Sequence, residues 1–131
     1  MTDEHFEQLV SEGIEAIPAR FLARIKNVAV VIAEKPTREQ LRNNHIPEGD
    51  TLLGIYEGIP LIERGENYGG LVLPDKITIF KLPILEESGN EHENNVRRVV
   101  KETVWHEIAH YFGYDDDAIE DREEKGRNFS Q

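Results

Sequence analysis

Apolar positions recur at helical intervals from the start of the chain. Phe6, Leu9, Val10, Ile14 and Ile17 share one side of residues 3–17, and Asp3 and Glu4 carry the negative charge that suits a first helical turn. A second short helix is expected from Pro18, because proline at the first helical position loses no intrahelical bond; Phe21, Leu22 and Ile25 supply its apolar face. The pattern then changes period. "NVAVVIAE", residues 27–34, is a compact β-branched run closed by Lys35 and Pro36 and reads as an inner strand. Thr37 with Gln40 three residues later has the form of a capping box for a helical turn reaching Leu41, followed by a surface loop, "NNHIPEGD".

Strand character dominates the middle of the chain. "TLLGIYEGIPLIE" sets Leu53, Ile55 and Tyr56 between Gly54 and Gly58, which suggests a strand that bends or pairs closely, or a hairpin. "KITIFK", residues 76–81, reads as another strand, and Pro83 shortly after it fits an edge position or an exit from the sheet. "EESGNEHENN" reads as a polar turn in which Ser88 and Glu91 have capping-box spacing. From about Asn90 to Phe112 the helical period returns, with Val96, Val99, Val100, Thr103, Val104 and Ile108 forming one stripe that ends at Gly113, a residue suited to a left-handed cap. No repeat or linker divides the 131 residues, so one domain over 1–131 is expected. Its class is α+β, a small sheet backed by helices, with a long helix toward the C-terminus.

Composition removes several classes of function. The chain contains no cysteine, so any metal must be held by His, Asp or Glu. Twenty-six acidic against fifteen basic residues give a formal charge of -11, which repels phosphate backbones and anionic membranes; nucleic-acid and membrane partners are not expected. The opening "MTDEHFEQLV" does not resemble a signal peptide, and no apolar run approaches the roughly 20 residues needed to span a bilayer; a cytoplasmic protein is the expectation.

The long helix ends in "VWHEIAHYFGYDDD". His106 and His110 are four apart, about one turn, so their imidazoles emerge on one face and can converge on one ion. Glu107 points about 100° away around the helix, where it can reach a water on the metal without ligating it. A catalytic zinc needs a third protein ligand and an open fourth position, and Gly113 can turn the chain so that Asp116 folds back. The pattern is HExxHxxGxxD: His106, Glu107, His110, Gly113, Asp116. Asp115 and Asp117 can replace Asp116 or hydrogen-bond a histidine ring, and Glu120, Glu123 and Glu124 are fallback ligands. The aspartates can equally cap a following helix, "DDDAIEDREEK", and Asp116 can do both.

Other candidates read as structural. His5, His45 and His92 are expected at the surface, and Trp105 and Phe112 are expected to pack the helix. Arg97, Arg98 and Lys101 are expected on a solvated face with partners such as Glu93, Asn94 and Glu102. Tyr68 and Tyr114 are potential donors to an oxyanion but read first as structural.

The motif, with "IPARFLARIKNVAVVIAE", "LLGIYEGIPL" and "ITIFKLPIL", resembles the minimal zincin-like metallopeptidases, short bacterial chains with HExxHxxGxxD near the C-terminus. The resemblance implies a compact α+β zincin fold, one Zn²⁺ per chain on His106, His110 and Asp116, and Glu107 as the base that activates water. The methionine turn of metzincins has no counterpart, since Met1 is the only methionine. A peptide or protein substrate is then expected to add along an edge strand, Lys76 to Lys81. Two other readings stand beside the peptidase: a non-catalytic zinc-stabilised binding module, and a zinc hydrolase of a non-peptide amide or ester. The sequence does not give the oligomeric state.

Overall fold

A computed structural model describes residues 1–25, 28–58, 75–89 and 92–113. Helix α1 (Asp3–Glu15) starts where Thr2 accepts a hydrogen bond from the His5 amide at 3.1 Å, and it buries Phe6, Leu9 and Val10, as the period predicts. Ile17 is buried just beyond it. Helix α2 (Ala19–Leu22) has Pro18 at its N-cap, one position earlier than expected, with the proline carbonyl accepting from the amides of Phe21 and Leu22.

Strand β1 (Val28–Ala33) leads to helix α3 (Arg38–Asn43). Both halves of the predicted capping box are present: the Gln40 amide donates to Thr37 Oγ1 at 3.0 Å and the Thr37 amide to Gln40 Oε1 at 2.9 Å. Strand β2 (Gly54–Glu57) and strand β3 (Asp75–Phe80) follow. The sheet order is β1-β3-β2, with β1 parallel and β2 antiparallel to β3. The α+β architecture with a small mixed sheet is therefore the expected one.

One strand position is corrected. The segment expected at an edge, residues 76–81, forms β3 and lies in the middle, paired on both sides. Five of the six β3 residues are buried, including polar Thr78, whose alternation with isoleucines imitates a half-solvated strand. Strand β1, expected inside, pairs with β3 alone among the described residues; its burial alternates, and Val31 is 40% exposed. A β-branched run satisfies a half-buried edge as well as a central strand.

Helix α4 (Lys81–Glu87) is a second correction, because the chain passes directly from β3 into a helix. Pro83 is its third residue, where the missing amide would have no intrahelical acceptor anyway, so it marks the exit from the sheet and not an edge position. Ser88 ends α4 instead of starting the next helix: its hydroxyl donates to the Ile84 carbonyl at 2.7 Å. Helix α5 (Glu93–Tyr111) has His92 at its N-cap.

Every residue of the predicted α5 stripe is buried, Val96 through Ile108. It packs with α1 and with Ile77 and Ile79 of β3, whose registered neighbours Val30 and Ile32 extend the same apolar face across the sheet. The long helix is thus clamped between α1 and the sheet.

Candidate metal centre

From Thr103 to Phe112 every residue of the chain is buried except His106 and His110. Trp105 and Ala109 face the interior at 0% exposure, and Trp105 meets Phe21 edge-on with ring centroids 6.4 Å apart. Phe112 packs on the same Phe21 ring at 5.5 Å. Trp105 and Phe112 therefore pack the helix, as expected, and this packing fixes which way the histidines point. The helix stops as predicted: Gly113 adopts φ 91° and its amide donates to the His110 carbonyl at 2.9 Å.

The two imidazoles sit on one face, their centroids 5.0 Å apart and their planes at 69°. Two imidazoles bonded to one zinc ion at about 2.0–2.1 Å, with a near-tetrahedral angle between them, place their centroids about 5 Å apart. The pair fits zinc in spacing as well as in donor type. Among the described residues no group of three His, Asp or Glu side chains forms a metal cradle. Asp116 lies outside the described residues, as do Asp115, Asp117, Glu120, Glu123, Glu124, Tyr68 and Tyr114.

Glu107 is only 7% exposed, a buried carboxyl at the wall of a groove of about 340 Å³. One side of the groove is residues Thr51–Gly54, and the other is the face of α5 that carries Thr103, His106 and Glu107. Arg98 and Glu102, joined at 3.6 Å, continue the α5 side at four-residue spacing from His106. His106 and Glu107 both line this groove. The wall from Thr51 to Gly54 is the part that sequence reasoning did not assign to the site; the glycine in "LLGIYEG" was its visible signal.

The remaining histidines stay out of the site. His5 Nε2 lies 3.1 Å from Glu93 Oε1, His92 caps α5, and exposed His45 takes a positive φ of 55°. Arg97 holds Glu93 and Asn94 along the helix, each at 2.9 Å, and also reaches Glu12 of α1 at 2.8 Å. These contacts hold the Glu93 carboxyl below its ordinary range, first through the hydrogen bond with His5, although partial desolvation opposes them; they raise Arg97, with Glu12 as the main cause. The network belongs to the α1–α5 interface rather than to the groove.

A family model described as zincin-like metallopeptidase matches residues 25–126 of the chain. Among solved structures, a conserved hypothetical protein from Thermus thermophilus is similar, with 26% identity and a TM-score of 0.53 over 84% of this chain and 92% of that one. No curated protein matches the sequence. Among the described residues no helix is long and apolar enough to cross a membrane.

Proposed function

The chain belongs to the zincin-like metallopeptidase family, and from that premise we propose that it is a zinc-dependent endopeptidase that cleaves peptides lying in the groove between β2 and α5. The observation that carries the reading is the paired opening of His106 and His110 on a helix otherwise buried from Thr103 to Phe112, with the Glu107 carboxyl at the adjoining groove wall. His106 and His110 would hold the zinc, with Asp116 as third ligand reached past the Gly113 turn. When bound, zinc supplies a Lewis acid for the scissile carbonyl and brings the pKa of water toward about 7.

Glu107 takes the proton from the attacking water and later passes it to the leaving amine. Its helix fixes it relative to both histidines. A zinc-stabilised binding module needs no such carboxylate and would close its metal with four protein ligands.

The test combines metal content with turnover. Purified chain reconstituted with zinc is expected to hold one ion and to cleave members of a diverse peptide library. Glu107→Gln is expected to keep the ion and lose about 10²–10⁴-fold in rate. One zinc per chain with no cleavage by either protein would sink the peptidase; no zinc after reconstitution would sink every metal-based reading.

A further inference from the structure

Gly54 opens β2 without the positive φ that would demand glycine. The demand is for space. A Cβ at this position would lie 2.9 Å from Thr103 Cγ2, 3.2 Å from the Thr78 carbonyl oxygen and 3.3 Å from Glu107 Cγ. Thr103 and Glu107 are one turn apart on α5 and form a ridge, and β2 crosses that ridge with its one residue that lacks a side chain.

Two of the three neighbours are fixed. Thr78 contributes main chain from the central strand, held by pairing on both sides. The Thr103 hydroxyl donates to the Val99 carbonyl at 2.7 Å in buried surroundings, so turning its methyl aside would leave a buried polar group unpaired. The third neighbour is the side chain of Glu107.

We infer that Gly54 is a positioning residue for Glu107: the glycine lets β2 close onto the Thr103–Glu107 ridge, and the strand so placed holds the carboxyl at the groove wall. The inference rests on the peptidase reading only for the role it gives Glu107. Gly54 lines the groove, and in this assignment it acts on the reaction only through Glu107.

The experiment compares Gly54→Ala, Thr103→Ser and the double variant in the zinc-loaded chain. The serine keeps the hydrogen bond to Val99 and removes the methyl that the alanine would strike. Gly54→Ala is expected to lower kcat about 10- to 100-fold, with KM and zinc affinity little changed, because the base is displaced while the ligands are not. The double variant is expected to return to within about twofold of Thr103→Ser alone. In crystal structures Glu107 Cγ is expected to move in Gly54→Ala and to return in the double variant. Full kcat in Gly54→Ala with Glu107 unmoved, or a folded double variant that recovers neither kcat nor position, would overturn the assignment. Should Gly54→Ala fail to fold, the double variant decides: folding with Glu107 in its original place supports the inference, and failure to fold refutes it. If the wild type cleaves nothing, the peptidase reading falls, and the position of Glu107 in the crystals still decides this one.

Discussion

Replacing Gly13 by alanine should stabilise the protein, although the residue is buried at the contact between α1 and α5. Gly13 lies inside a helix, where glycine costs about 1 kcal/mol relative to alanine. A Cβ there would meet Val104 Cγ2 at 3.5 Å and Val100 Cγ1 and Lys101 Cα at 3.6 Å, all ordinary van der Waals distances. The methyl therefore fills space without forcing the helices apart, and its burial adds a fraction of the roughly 0.8 kcal/mol expected for a CH₂. The expected gain is about 1–1.5 kcal/mol, or about 3–6 °C in Tm for a chain of this size. Urea denaturation can be followed through Trp105, the single tryptophan and fully buried. Gly13→Val is the control: its extra branches exceed the gap, and a loss of about 1–3 kcal/mol is expected. A Gly13→Ala protein less stable than wild type would refute the reasoning, because it would mean that the helices lie closer than the distances given.

Two further substitutions test the polar contacts. Tyr56→Phe removes the hydroxyl that donates to Asp75 Oδ2 at 2.9 Å, and with Asp75 only 3% exposed a loss of about 1.5–3 kcal/mol is expected in the same denaturation assay. A loss below about 0.5 kcal/mol would show that this bond contributes little. Glu93, held below its ordinary value of 4.5 by His5 and Arg97, contributes stability that is complete above that value and is lost as pH falls through its lower folded pKa. Wild type should therefore lose stability as acid is added below about pH 4.5, and Glu93→Gln should lose less over the same window, with the difference shrinking in high salt. Equal acid slopes for the two proteins would contradict the ion-pair account.

What the sequence revealed was mostly what is decided within one turn of helix. The α5 stripe, the Thr37–Gln40 capping box, the Gly113 stop and the Arg97 pairs with Glu93 and Asn94 all depend on neighbours three or four residues away, and each is where the pattern placed it. The strand order depends on partners far along the chain, and there β3, expected at an edge, lies between β1 and β2. Helix α4 escaped notice because it starts on Phe80 without a capping side chain and carries Pro83 in its first turn. The same limit applied to the site. The shared face of His106 and His110 follows from their spacing, while the groove wall at Thr51–Gly54 depends on β2 lying across α5.

The sheet order also bears on the expected substrate. A peptide cannot add to residues 76–81, because both sides of β3 are already paired. In the proposed reading the substrate lies instead in the groove lined by Thr51–Gly54, His106 and Glu107, with the Arg98–Glu102 pair further along the same wall.

The most direct measurement is anomalous diffraction at the zinc edge from crystals of the zinc-loaded protein. One peak per chain is expected, bonded to ring nitrogens of His106 and His110 at about 2.0–2.1 Å and to an Asp116 oxygen at about 2.0–2.2 Å, with Glu107 near but not bonded. A peak bonded instead to Glu107, a site closed by four protein ligands, or no peak on the histidine pair would contradict this expectation.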